Sequence, residues 1–123
     1  MDAPVDLTVV ARRSSPLAMV PAAGAEEAAR AERLTQELAA LEPRIRVTVT
    51  DEGAGDVPAI TVASRASAGA VRFVGVPRVN LFRVLVGAVR RASTGEHGLP
   101  AGWPEALAAL PKPVHAQVFA TPT

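Results

Sequence analysis

The residue types that commonly carry out chemistry are cysteine, histidine, serine, aspartate and glutamate, and this chain has no cysteine. Without it the chain forms no disulfide, thiolate nucleophile or cysteine-ligated zinc site. Ser14 and Ser15 are nucleophiles by residue type, but a hydroxyl needs a base close in space. His97 and His115 would need two acidic ligands to complete a zinc site. A solvated linker histidine and a histidine on a strand face are the simpler interpretation, so we expect no metal and no cofactor.

The acidic residues offer one cluster, in which Asp51, Glu52 and Asp56 share a glycine-containing loop. Paired carboxylates can serve acid/base chemistry or bind a hard cation. The alternating ligand spacing of a dedicated calcium loop is missing here. The sequence therefore favours a charged surface turn at this position.

Arginines are scattered along the chain, and two of them share one side of a predicted helix. Arg83 and Arg90 lie two helical turns apart, which would give a modest basic face toward a partner domain. Solvated arginines, balanced by the acids of the first predicted helix, are the alternative that the sequence favours. Further arginines at strand ends and helix faces include Arg12, Arg13, Arg72, Arg78 and Arg91.

The composition of the chain argues against nucleic acid and membrane as binding partners. The net charge is only +1 and aromatic residues make up 3% of the chain, so neither phosphate contacts nor base stacking is favoured. No apolar run approaches the ~20 residues of a membrane span. The N-terminus also lacks the basic and apolar pattern of a secretory signal. We expect a cytoplasmic protein that binds neither nucleic acid nor membrane.

The spacing of apolar residues predicts the elements that position these side chains. In chain order they are a strand at 4–12, a helix at 25–42, strands at 44–50, 59–64 and 70–76, a helix at 80–94 and a short helix within 103–113. The first strand is predicted to be buried on both faces at its centre, and the second to lie at or near a sheet edge. Residues 114–123 alternate like a further, terminal strand.

Both long helices carry an apolar stripe at helical spacing. The stripes are Ala31, Leu34, Leu38 and Leu41 in the first helix and Phe82, Leu85, Val86 and Val89 in the second. Asn80 is the predicted N-cap of the second helix, and Gly95 its predicted end.

The order of elements predicts an α/β fold. A helix between the first two strands makes them parallel through a right-handed crossover. Small residues at 65–69 make the third and fourth strands an antiparallel hairpin. The result is a β-α-β-β-β-α core with a mixed four-stranded sheet, followed by a short helix and a terminal strand.

Three stretches sharpen this expectation: "DVPAITVAS" at 56–64, "VRFVGVPRVNLFRVLVGAV" at 71–89 and "VHAQVFATPT" at 114–123. With the element order, they resemble the thioredoxin-like superfamily. The similarity is to the non-catalytic N-terminal thioredoxin unit of the tandem, glutaredoxin-like protein disulfide oxidoreductases and of the alkyl hydroperoxide reductase flavoprotein subunit. The resemblance implies a redox-inactive domain at 1–95, a linker with a short helix at 96–113, and at 114–123 the first strand of a second thioredoxin-like unit.

The resemblance also implies which residues would form a site. The position of the Cys-x-x-Cys motif is here a loop without cysteine that contains Ser14, Ser15, Pro16, Leu17 and Met19. This vestigial active-site loop could be a docking surface, although a loop that packs on its own core is the favoured alternative. The Val57–Pro58 bond would be cis, as in the family, and would shape a groove for an extended peptide; a trans proline that closes a loop before the strand is the alternative.

The implied function is a non-catalytic scaffold or docking domain of a thiol-disulfide oxidoreductase. Its partner would be a catalytic thioredoxin-like unit, in the same or another chain, or a different protein, and a homodimer is also compatible with the sequence. A stand-alone peptide- or protein-binding module of the same fold is the alternative. Trp103 would anchor an interface to the next unit or hold the short helix against its own domain; the sequence does not decide between these.

Overall fold

Four strands and three helices form the described part of the chain, which in this computed structural model comprises residues 2–12, 24–55, 57–67 and 69–120. They are β1 (Val5–Val10), α1 (Ala25–Leu41), β2 (Ile45–Thr50), β3 (Ala59–Ser64), β4 (Ala70–Val74), α2 (Asn80–Thr94) and α3 (Trp103–Ala108). The predicted β-α-β-β-β-α order is confirmed, and each long element agrees with its predicted range to within two residues.

The strands form one mixed sheet with the spatial order β2-β1-β3-β4. β1 and β2 run parallel, with Val5 opposite Ile45, as expected for strands joined by a helical crossover. β3 is antiparallel to β1 and pairs with β4 as a hairpin. Both predicted pairings are thus confirmed, and β2 lies at an edge of the sheet as its half-polar alternation indicated.

Both long helices pack on the same face of the sheet. Val5, Leu7 and Val9 of β1 are fully buried and belong to one core cluster that includes residues of α1 and α2. The alternate residues Asp6 and Thr8 point to the other face and are half-buried. The prediction that β1 is buried on both faces at its centre was only partly met. Thr8 is half-buried because both long helices lie on one side of the sheet, whereas Val10, at the end of the strand on the second face, is buried.

The apolar stripe of α1 is shorter than its spacing predicted. Ala28 and Ala31 are buried and Leu34 and Leu38 pack against the core, but Leu41 is 84% exposed. The last turn of the helix extends past its contacts with the sheet before the chain turns into β2. Helical spacing alone does not show where the neighbouring layer ends.

The stripe of α2 is also displaced from its prediction. Leu85 and Val89 are buried as expected, whereas Val86 is 42% exposed. The buried face continues instead through Ala92 and Ser93. It is centred on the i, i+4, i+7 positions of Leu85, and Val86 lies about 100° away from that line.

The ends of α2 meet one prediction and correct another. The N-cap is Val79 rather than Asn80, and no side chain caps this end of the helix. Gly95 ends the helix as predicted. Its φ is 75°, in the left-handed region that glycine adopts readily, and its N–H donates to the Arg91 carbonyl at 2.8 Å.

Residues 96–120 do not join this core. No residue of α3 is buried, so Trp103 does not hold that helix against the domain. Described residues 114–120 form no strand, and Phe119 is 92% exposed. The predicted terminal strand is therefore not formed in that range, because alternation favours an extended chain but a strand also needs a hydrogen-bonding partner. Within the described residues, none of the helices has the length and apolarity needed to cross a membrane.

Candidate functional site

The candidate site is the carboxyl end of the sheet, where β1, β2 and β4 all finish. The loops after these strands meet the start of β3 there, because β3 runs in the opposite direction. The N-termini of α1 and α2 follow β1 and β4 at the same end. Ligands of open α/β sheets commonly bind outside this end, since the connecting loops gather there.

Val57 and Pro58 lie at this end, directly before β3. The N–H of Gly75 donates to the Pro58 carbonyl at 2.7 Å, which joins the start of β3 to the end of β4. A Cβ on Gly75 would lie 3.8 Å from Cγ1 of Val57, so the two residues are in contact range. The Val57–Pro58 bond is trans, and the predicted cis bond was therefore wrong. Pro58 is buried while the Val57 side chain is more than half exposed.

An ion-pair network connects α1 to the segment before α2. The Arg78 guanidinium lies 2.7 Å from a Glu27 carboxylate oxygen, and Glu27 also pairs with Arg30 at 2.9 Å. Arg30 pairs in turn with Glu26 at 2.7 Å. The two glutamates occupy the first turn of α1, where the helix macrodipole favours negative charge. The network links the first turn of α1 to the loop that follows β4 through exposed ion pairs.

Three valines that are more than half exposed form what we call the valine rim of this end: Val57, Val74 and Val79. Val57 precedes β3, Val74 ends β4 and Val79 precedes α2. Val79 has a φ of 53°, in the left-handed region that is costly for a β-branched residue. An apolar rim and a strained backbone position thus occur at the same end of the sheet.

The edge of β4 adjoins the valine rim. Among the described residues, β4 pairs only with β3. The Gly75–Pro58 hydrogen bond sets the alternation of the ladder, so Phe73 and Val71 exchange bonds with β3. The backbone N–H and C=O groups of the alternate residues therefore point outward from the sheet; these residues are Ala70, Arg72 and Val74. This edge could accept an added strand.

No family profile, curated protein or solved structure matches this chain.

The other candidate residues divide between those the structure describes and those it does not. Ser14, Ser15, Pro16, Leu17 and Met19 lie outside the described residues, as does Asp56. Within the described part, no group of three histidine, aspartate or glutamate side chains could hold a metal ion.

The remaining acidic and histidine candidates lie at exposed positions. Asp51 and Glu52 are exposed in a turn closed by a hydrogen bond from the Ala54 N–H to the Asp51 carbonyl. His97 is exposed and accepts a hydrogen bond at Nδ1 from the Leu99 N–H, 2.9 Å away. His115 is exposed in the segment after α3.

Sequence reasoning selected Val57 but missed Val74 and Val79 of the valine rim and the outward-facing edge of β4. The valines are apolar residues in predicted strands or beside them, which sequence patterns assign to the core. Arg78 was noted as one of several scattered arginines, and its pairing with Glu27 depends on a contact between residues distant in sequence. A β-branched residue just before a helix was the one available signal, and it is a weak one.

Proposed function

We propose that this chain is a non-catalytic docking domain of thioredoxin-like fold that serves a thiol-disulfide oxidoreductase. The observation that carries the proposal is the sheet order β2-β1-β3-β4, with β3 antiparallel to its neighbours. This order is compatible with a thioredoxin-like fold. It brings the Val57–Pro58 segment to the end of the sheet at which α1 begins. The trans proline is a departure from the family pattern, so the proposal does not depend on a cis bond.

The absence of cysteine supports a role in binding rather than thiol exchange. Thiol–disulfide exchange needs a thiolate to attack a disulfide sulfur, and this chain supplies none. A catalytic thioredoxin-like unit, in the same or another polypeptide, would have to provide the thiols. The role of this domain would be to position that unit or its protein substrate.

Docking would take place along β4 and on the valine rim. An extended partner segment would pair with the outward backbone groups of Arg72 and Val74, as in β-strand addition. Its apolar side chains would contact Val57 and Val79. Burial of exposed valine surface contributes about 25 cal/mol per Å² of apolar area, and the backbone pairing fixes the register. The same geometry supports the second candidate, a stand-alone peptide-binding module, because an unpaired edge needs no particular partner fold.

The docking surface can be tested with fluorophores, because the cysteine-free chain allows labelling at a single introduced thiol. Val57→Cys and, as a matched control on β2 at the opposite edge of the sheet, Thr48→Cys are each labelled with an environment-sensitive dye. Both side chains are exposed, so labelling preserves the fold. The probe is reduced, alkylated insulin B chain, an unfolded segment of a disulfide-bonded protein.

We expect saturable emission changes with the label at 57 and none with the label at 48. Equal responses at both positions, or no response at 57, would refute docking at this edge. The oxidoreductase assignment has a separate test in the natural gene. A Cys-x-x-Cys codon pair in the same reading frame, or in an adjacent co-transcribed gene, is expected, and its absence from both would leave only the stand-alone module.

A further inference from the structure

The outer face of α2 contains a glycine at its centre. Leu85, Val89 and Ala92 face the sheet, and successive helical residues are separated by about 100°. Gly87 therefore lies almost opposite the buried line. It occupies the interior of a helix of 15 residues, far from either end, where no turn or cap requires glycine.

No packing contact explains why this residue is glycine. A Cβ built on Gly87 meets no atom within 4 Å, so alanine would fit without steric conflict. Alanine in place of glycine within a helix favours the folded state by about fivefold in the folding equilibrium constant. The chain forgoes this stabilisation at a position that faces outward. A glycine in such a position allows another molecule to approach the helix backbone closely.

A groove lies directly over this glycine. Its volume is about 510 Å³, and it is lined by Arg83, Val84, Gly87, Arg90, Arg91, Glu96 and Gly98. The three arginines and Val84 are three or four residues from Gly87 along the helix, so they surround the gap that its missing side chain leaves. Glu96 and Gly98, which follow the end of α2, complete the lining.

The lining of the groove carries a net positive charge, because three arginines face one glutamate. No ion pair within the described residues involves the side chains of Arg83, Arg90 or Arg91, in contrast to the paired Arg30 and Arg78. Glu96 is the single acidic residue of the lining. Val84 adds an apolar surface that is more than half exposed. The groove thus combines three free guanidinium groups with an apolar contact and an open floor.

We propose that this groove binds an acidic segment of a protein partner that carries apolar residues between its carboxylates. The arginines would pair with the carboxylates, an apolar side chain would contact Val84, and the segment would approach the backbone at Gly87. Guanidinium groups suit carboxylates because they can donate two parallel hydrogen bonds. A protein is favoured over a nucleic acid because the chain has a net charge of only +1 and no exposed series of aromatic rings for stacking. This site is separate from the valine rim and does not depend on the function proposed above.

The experiment measures binding of a fluorescein-labelled peptide that alternates glutamate and leucine, by fluorescence anisotropy with the full chain. Three further probes identify the chemistry: the same peptide with glutamine for glutamate, a single-stranded DNA of equal length, and inorganic phosphate as competitor. The deciding variant is Gly87→Leu, which fills the groove with a good helix former. Arg90→Gln removes one charge, and Arg33→Gln removes an exposed arginine from α1 as the matched control.

We expect Gly87→Leu to weaken binding of the acidic peptide at least tenfold while raising the midpoint of thermal unfolding. Arg90→Gln should weaken it about threefold to fivefold, the range for a partly exposed charge pair. Arg33→Gln should change it less than about twofold, and added salt should weaken binding because it screens the arginines. Loss of binding in a variant that folds more stably cannot be attributed to unfolding.

Several results would overturn the proposal. One is the absence of peptide binding at low ionic strength, and another is a Gly87→Leu variant that binds like the parent chain. Equal binding of the glutamine peptide would exclude charge recognition. Stronger binding of the DNA, or full displacement of the peptide by micromolar phosphate, would assign the groove to another ligand class.

Discussion

The hydroxyl of Ser93 connects the N-terminal segment to the end of α2, and we predict that Ser93→Ala destabilises the whole domain. Ser93 is 1% exposed. Its Oγ donates to the Ala3 carbonyl at 2.7 Å and accepts from the N–H groups of Asp2 and Ala3 at 2.9 and 3.1 Å. These contacts hold the residues before β1, the strand that lies between β2 and β3 in the sheet.

The expected magnitude follows from these contacts. A hydrogen bond of this kind contributes about 1 kcal/mol net to the free energy of unfolding. The Ala3 N–H keeps a second acceptor, the Ser93 carbonyl at 3.1 Å, so its loss is partial. Alanine also favours the helix over serine by roughly 0.5 kcal/mol. We therefore expect Ser93→Ala to lower the free energy of unfolding by about 2 kcal/mol.

The assay is urea unfolding followed by circular dichroism, with Thr94→Ala as the matched control. Thr94 is the next hydroxyl in the same helix turn, but its bonds to the Arg90 carbonyl and from the Glu96 N–H are local and exposed. Thr94→Ala should change stability by less than about 0.5 kcal/mol. Amide exchange of Ala3 should accelerate in Ser93→Ala alone. Equal effects of the two variants, or an unchanged Ala3 exchange rate, would contradict this account of Ser93.

Three further outcomes test the packing and the chain end. Leu85→Ala, at a fully buried position, should lower the free energy of unfolding by roughly 2–5 kcal/mol. Leu41→Ala, measured in the same assay, should change it by less than about 0.5 kcal/mol because Leu41 is exposed. Equal losses in the two variants would contradict this burial pattern. Gly95→Ala should cost about 1–2 kcal/mol, because φ is 75° and the new Cβ would lie 3.0 Å from the Ala66 carbonyl oxygen; a neutral result in thermal unfolding would contradict it. Removal of residues 96–123 should leave the midpoint of thermal unfolding within a few degrees of that of the full chain, because described residues 96–120 are largely exposed. A large drop in the midpoint would reveal packing that the described contacts lack.

Element types could be predicted because the signals are local. Alternation in 44–50 and helical spacing in 25–42 each arise from side-chain geometry within the element, and the structure confirms both. The terminal segment shows the limit of the same reasoning. Its residues alternate much as those of β2 do, yet described residues 114–120 form no strand, since pairing depends on a partner that periodicity does not supply.

The candidate sites were harder to predict for the same reason. Val57 was selected from a resemblance, and the structure adds Val74 and Val79 only because the sheet order brings three chain segments to one end. The sequence did not single out Gly87, which lies in an apolar stretch. Its outward position follows only from the structure, which shows which side of α2 faces the sheet. Serine is a residue type that usually lies at the surface, and Ser93 is buried because the N-terminal segment packs against the end of α2.

The sequence by itself determined the type and order of the elements and, through the absence of cysteine, the absence of thiol chemistry in this chain. Tertiary structure alone decided that both long helices lie on one face, that the edge of β4 is open among the described residues, and that Gly87 and its neighbouring arginines face away from the sheet. The physical reason is the separation along the chain over which each effect acts. Backbone preference and periodicity act over a few neighbouring residues, whereas burial and strand pairing depend on which distant segments the fold brings together.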